Sequence, residues 1–293
     1  MTIQSYDDLA RWTSTAGQGP TLRGRHHDTA GPTIHFLSGN GFCGGVYWPM
    51  LKTLLPEYGL FTHDIEAQGD SDAPENFSGV RPLLRRIPQV MADQRVTGNP
   101  LIGMGHSFGG ALTLRVAAEN PGLFKALVLL DPIVLPTPAF IGLKFMSLIG
   151  RHPLSGPTRR RHDTWPSRQA VVDSLRGRGA FKNWTDEALQ CFATFAIREV
   201  GGGFKLACPK EIEAQIFESP VYPWAAFRKI KVPILFLRGT TSYEFFPWAE
   251  KMAKRANPSI TFKQLPGWHC FMQEDPGKAS AVVREFLEAQ KYI

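Results

Sequence analysis

Ser107 lies within Gly105-His106-Ser107-Phe108-Gly109, a G-x-S-x-G pentapeptide. A serine hydroxyl becomes a useful nucleophile only beside a base that a third group orients, and only where its backbone presents it to a substrate. The apolar run ending in Leu101-Ile102-Gly103-Met104 reads as a buried strand, and the run from Gly110 to about Asn120 reads as a helix. A sharp strand-to-helix turn at this pentapeptide holds the serine in a strained conformation, with flanking glycines removing side chains that would collide. The hydroxyl is left at the carboxyl edge of a sheet, next to a helix amino end that favours developing negative charge. The chemistry this arrangement suits is acyl transfer through serine.

Placed in that setting, the pentapeptide resembles that of the α/β-hydrolase superfamily, and three further segments extend the resemblance over nearly the whole chain. The first is Thr33-Ile34-His35-Phe36-Leu37-Ser38-Gly39-Asn40-Gly41-Phe42, an alternating apolar strand running into a glycine-rich loop. In the family this loop supplies one backbone N–H of an oxyanion hole, and the residue after the nucleophile supplies the other. The resemblance therefore implies Asn40, or its neighbour Gly41, and Phe108 as donors. Many relatives have His-Gly where this chain has Ser38-Gly39, a change that a backbone donor tolerates. The second segment, Leu60-Phe61-Thr62-His63-Asp64 with Gln68-Gly69-Asp70-Ser71, is similar to the family's D-x-x-G-x-G-x-S loop and reads as scaffold, with Ala67 in place of the first glycine.

The third segment is the strand Ile260 to Leu265 followed by Pro266-Gly267-Trp268-His269-Cys270 and a terminal helix from about Pro276 to Gln290. The family's general base sits after the last strand, which among eight histidines selects His269. His26 and His27 precede the first clear core strand, His35 and His63 lie on core strands, His152 and His162 fall in an arginine-rich insertion, and His106 adjoins the nucleophile.

The acid is open at this stage. Most relatives carry it in a G-x-x-D pattern after the strand that follows the insertion, but Gly239-Thr240-Thr241-Ser242 places serine there. Two carboxylates could replace it: Glu244 on the same loop, or Asp131 at the end of Ala126-Leu127-Val128-Leu129-Leu130. Asp131 is favoured, because some branches of the superfamily place the acid after that earlier strand. Either gives the chain order Ser, acid, His that this fold uses.

Strands near 33–37, 59–63, 100–104 and 125–130 alternate with helical stretches, and strands return at 234–238 and 260–265. This implies a mostly parallel twisted sheet with helices on both faces. Residues 1–132 and 223–293 form the expected core, and 133–222 form an expected helical cap with helices near 140–150, 167–176 and 185–199. Phe42, Trp48, His106, Trp268, Phe140 and Phe145 are the candidate lining of an apolar substrate pocket.

A chain of 293 residues buries enough apolar surface to need no staples. Cys43, Cys191, Cys208 and Cys270 show no C-x-x-C pair, so free thiols in a reducing compartment are expected and neither zinc nor any other cofactor is implied. The amino terminus has neither a basic start nor an apolar stretch, and no run approaches the length of a membrane span, so a cytoplasmic location is expected. The net charge of +7 accompanies no nucleic-acid motif, and the positive residues cluster in the insertion. The partner expected is a small-molecule ester. Three functions fit: hydrolysis of carboxylic esters of small to medium apolar acyl or aromatic substrates, with thioesters and lactones as near variants; carbon-carbon hydrolysis of ring-fission diketones; and non-catalytic small-molecule binding.

Overall fold

The computed structural model describes residues 2–55, 57–96 and 100–290. The first half runs β1 (Ala10–Ser14), β2 (Leu22–His27), β3 (Thr33–Leu37), α1 (Trp48–Leu51), β4 (Gly59–Asp64), α2 (Val80–Asp93), β5 (Leu101–His106), α3 (Ser107–Glu119) and β6 (Ala126–Leu130). An inserted segment follows, with α4 (Thr137–Leu148), α5 (Ser155–Arg160), β7 (Thr164–Trp165), α6 (Arg168–Leu175), α7 (Asp186–Phe195), β8 (Ile197–Val200), β9 (Gly203–Leu206) and α8 (Lys210–Phe217). The chain returns through α9 (Trp224–Lys229), β10 (Ile234–Gly239), α10 (Phe246–Ala256), β11 (Ile260–Leu265), α11 (Phe271–Glu274) and α12 (Pro276–Ala289).

Eight strands form one sheet in the order β1-β2-β4-β3-β5-β6-β10-β11. The strands from β4 to β11 pair in parallel, whereas β1 and β2 pair antiparallel with each other and β2 with β4. The alternation of side chains along a strand explains why both faces are apolar. Val128 and Leu130 join Ile34, Phe36 and Met104 beneath α1 and α12. Leu127 and Leu129 join Leu37, Leu101 and Phe236 beneath α2, α3 and α10.

Every core strand anticipated from the sequence is present, but the amino-terminal hairpin was not anticipated. His26 and His27 lie on β2 rather than ahead of the first core strand. Its sequence Leu-Arg-Gly-Arg-His-His is polar and contains glycine, so it carries no apolar alternation. The inserted segment also departs from an all-helical reading, since β7, β9 and β8 form a small antiparallel sheet. Gly201-Gly202 is the hairpin turn between β8 and β9. Its φ values of +60° and +78° match the paired left-handed geometry of a two-residue β-hairpin loop.

Close contact between α3 and the sheet fixes the pentapeptide. A Cβ on Gly109 would lie 2.3 Å from the Leu37 carbonyl oxygen and 2.4 Å from that of Ser38, both backbone atoms that cannot swing aside. Gly109→Ala is therefore expected to destabilise the protein by about 3 kcal/mol. Gly142→Ala, in α4 with no atom within 4 Å of the added methyl, should stabilise by up to about 1 kcal/mol. Chemical denaturation of both variants checks the pair; similar shifts of one sign would contradict this account of the packing.

Candidate functional site

Three loops meet at the carboxyl edge of the sheet. Ser107 sits where β5 passes into α3 with φ +53°, a left-handed value that costs a non-glycine residue about 1 kcal/mol or more. His269 Nε2 lies 2.9 Å from Ser107 Oγ, and His269 Nδ1 lies 3.1 Å from Asp131 Oδ1. A carboxylate can only accept, so Nδ1 carries the proton and Nε2 is free to accept from the serine hydroxyl. This is the hydrogen-bonded order that a base-activated serine needs.

The structure brings Asp131, not Glu244, to the histidine. Asp131 has no solvent exposure and also accepts from Gly239 N–H at 2.9 Å and from the Ser242 hydroxyl at 2.8 Å. It too is left-handed, with φ +42°. Glu244 is exposed. Ser242, in the Gly239-Thr240-Thr241-Ser242 stretch, is thus a donor to Asp131.

His106 does not line a pocket. It is 1 % exposed, its Nε2–H donates to the His269 carbonyl at 2.9 Å, and its Nδ1 accepts from the Tyr47 hydroxyl at 2.7 Å. Tyr47 in turn accepts from Gly39 N–H at 3.0 Å. Burial pushes the His106 imidazole well below its usual range, and the neighbouring His269 adds to this. The ring is thus a neutral brace with a fixed tautomer, joining the 38–43 loop, the serine turn and the His269 loop. Gln68 adds a second brace, donating from Nε2 to Gly39 O at 3.2 Å and accepting from Ser38 Oγ at 2.8 Å. Tyr47 carried no sequence signal, because it sits in an apolar run that reads as packing.

Phe108 N–H lies in the first turn of α3, where helix geometry leaves donors unused. Asn40 lies between Gly39 and Gly41 on the loop that α3 abuts, and its side-chain Nδ2 donates to Glu213 O at 3.0 Å. Gly41 has φ +78°, and a Cβ there would lie 2.9 Å from the Glu213 carboxyl carbon. Glu213 of α8 is therefore packed directly on the loop that holds Asn40 and Gly41. It is paired with Arg161, yet burial still pushes its carboxyl up to about 7.

The aromatic candidates divide. Phe42 meets Trp184 and Phe192 of the insertion, with ring centroids 5.6 and 5.9 Å away. Trp268 lies beside His269, which also faces Tyr243 at 4.8 Å. Trp48 is instead fully buried, its indole N–H donating to Thr2 O at 2.9 Å and its ring against Tyr6. It belongs to the core under α12 because α1 packs there. Phe140 meets Tyr222 at 5.1 Å. Phe145 is 59 % exposed on the surface, so its place as pocket lining is not supported. A polar cleft of about 440 Å³ lies elsewhere, between the β1–β2 edge and the insertion, lined in part by Arg25, Asp70, Arg168 and Arg198. Neither Ser107, His269 nor Asp131 lines it. Its arginines are committed to Asp7, Asp70 and backbone carbonyls.

With this geometry in hand, comparison with known proteins is direct. A profile of the Alpha/beta hydrolase family matches residues 36–282, and the chain belongs to that family. Over 104 residues it is 35 % identical to a type I acyl-CoA thioesterase of Penicillium roqueforti, covering 34 % of this chain and 22 % of the relative. Over 140 residues it is 30 % identical to the monoglyceride lipase of Homo sapiens, covering 45 % of this chain and 46 % of that one. These matches thus span less than half the length of either relative. The crystal structure of E-2-(acetamidomethylene)succinate hydrolase superposes with a TM-score of 0.78 at 22 % identity, over 95 % of this chain and 100 % of that one, and so shares the fold.

Asp131→Asn should cut ester turnover by about 10⁴-fold through loss of the correct histidine tautomer, while Glu244→Gln should leave it within about twofold; steady-state kcat of both variants decides, and the reverse ranking would remove Asp131 from its place. A second expectation concerns pH. Glu213 binds its proton more tightly folded than unfolded, so its contribution to stability falls as pH rises from about 4.5 to about 7 and is flat above. Relative to Glu213→Gln, the wild type should lose on the order of 3 kcal/mol across that window, as read by denaturation at several pH values. A pH-independent difference would contradict the burial argument.

Proposed function

We propose that this protein is a serine hydrolase that cleaves carboxylic esters of small to medium apolar acyl or aromatic substrates through an acyl-enzyme. The observation that carries the reading is the continuous run of hydrogen bonds from Ser107 Oγ through His269 to Asp131. In the proposed reaction His269 takes the serine proton as Oγ attacks the carbonyl carbon. Asp131 holds the tautomer and stabilises the imidazolium. The N–H groups of Phe108 and of Asn40 or Gly41 receive the oxyanion, a term worth about 3 to 4 kcal/mol per donor. His269 then returns the proton to the leaving alcohol, and water repeats the sequence on the acyl-enzyme.

The similarity to a thioesterase and a lipase supports ester-type chemistry, and the same acyl-enzyme serves a thioester, whose leaving group is a thiol. Residues 133–222 are assigned as the cap over this site, with the core in 1–132 and 223–293; residues 1, 56, 97–99 and 291–293 lie outside the described residues. Packing of Phe42 against Trp184 and Phe192, and of Glu213 on Gly41, supports a cap that bears directly on the oxyanion loop.

Hydrolysis of a p-nitrophenyl ester series from acetate to long acyl chains, by the wild type beside Ser107→Ala, tests the reading. Turnover with an optimum at short to medium chains, lost by at least about 10³-fold in the variant, is the expected result. No turnover at any length would overturn it in favour of carbon-carbon hydrolysis or binding without catalysis.

A further inference from the structure

Helix α4 has no buried residue, although its sequence, Thr-Pro-Ala-Phe-Ile-Gly-Leu-Lys-Phe-Met-Ser-Leu, is among the most apolar in the chain. Ile141 is 61 % exposed and Leu148 80 %, Phe145 and Ile149 are exposed beside them, and Leu154 is exposed at the start of α5. Scattered exposed apolar side chains are ordinary, but three large ones on one helix, with Ile149 directly after it, are not. The helix is tied down near its start, where the Thr137 hydroxyl meets the Tyr222 hydroxyl at 3.3 Å and Phe140 packs on the Tyr222 ring.

The charges carried by this segment are of one sign. From Pro132 to His162 the chain has no aspartate or glutamate, while it carries Lys144, Arg151, Arg159, Arg160 and Arg161. Arg159 pairs with Glu211 and Glu218, and Arg161 with Glu213, all on α8 or at its end. Lys144, Arg151 and Arg160 are exposed. An apolar helix surface bordered by cations suits an interface that is apolar below and anionic above, where insertion and Coulomb attraction add.

We propose that α4 and the turn following it dock on an anionic lipid surface. Ile141, Phe145 and Leu148 enter the acyl boundary, and Lys144, Arg151 and Arg160 lie against the headgroup phosphates. A second copy of this chain is the poorer occupant, because a two-fold contact through the same patch sets these cations against their own copies, with no acid in the segment to answer them. Docking here would set the lipid phase close in sequence to the candidate site. The segment between β6 and α4 is short, and within it Ile133 N–H donates to Ser107 O at 3.1 Å.

The test is co-sedimentation of the full chain with vesicles of phosphatidylcholine alone or mixed with phosphatidylglycerol. The wild type should bind the anionic vesicles, and binding should weaken by at least about tenfold without phosphatidylglycerol, in high salt, and in Ile141→Ser/Leu148→Ser. Lys144→Glu/Arg151→Glu should remove the preference for anionic vesicles. Both double variants change exposed residues and should keep the wild-type thermal midpoint and turnover of a water-soluble ester. Ser107→Ala should bind vesicles like the wild type, so that docking is read separately from hydrolysis. The proposal is overturned if the wild type binds neither vesicle, or if both double variants bind as the wild type does. A dimer in sedimentation velocity that Ile141→Ser/Leu148→Ser dissolves would also overturn it, assigning the patch to a second copy.

Discussion

A carboxylate with no solvent exposure survives in a protein only if donors replace the water it has lost. Asp131 is such a group, and its three donors come from three places: the end of β10 through Gly239 N–H, the following loop through Ser242, and the β11–α11 loop through His269. Satisfying one buried charge therefore fixes the relation of β6, β10 and the histidine loop. The geometry at Ser107 depends on that relation, since the imidazole that faces the serine is the same one held by Asp131.

Around this centre the protein spends backbone strain and burial on positioning. Ser107 and Asp131 are both left-handed, at the ends of neighbouring parallel strands whose register pairs His106 with Leu130. The neutral His106 and Tyr47 link the serine turn, the histidine backbone and Gly39. Neither His106 nor Tyr47 needs to touch substrate in the proposed reaction. Their effect is to tie the serine turn, the histidine loop and Gly39 together through buried hydrogen bonds that any displacement would break.

The parts legible in the sequence were those with a local cause. The serine turn announces itself through two glycines between an apolar strand and a helix, and His269 through its place after the last strand. Parallel strands buried on both faces read as largely apolar runs, which is why β3 to β6 and β10 were found near their observed limits, whereas the edge strand β11 is buried only at its ends, Ile260 and Leu265. The polar β2 and the short strands of the insertion lack that pattern. The choice between Asp131 and Glu244 turns on which loop curls toward His269, a tertiary fact. Trp48 and Phe145 show the same limit from opposite sides, since each is an aromatic near a site segment in sequence. One is buried in the core and the other stands on the surface, because an apolar type does not say which apolar surroundings it meets.

Reaction with a fluorophosphonate ester, followed by intact mass and peptide mapping, reports on the activated serine without requiring the natural substrate. A single phosphonyl adduct on Ser107 is expected, absent in Ser107→Ala and formed far more slowly in His269→Ala. Labelling at another residue, or equal rates of adduct formation with and without His269, would contradict the proposed roles of Ser107 and His269.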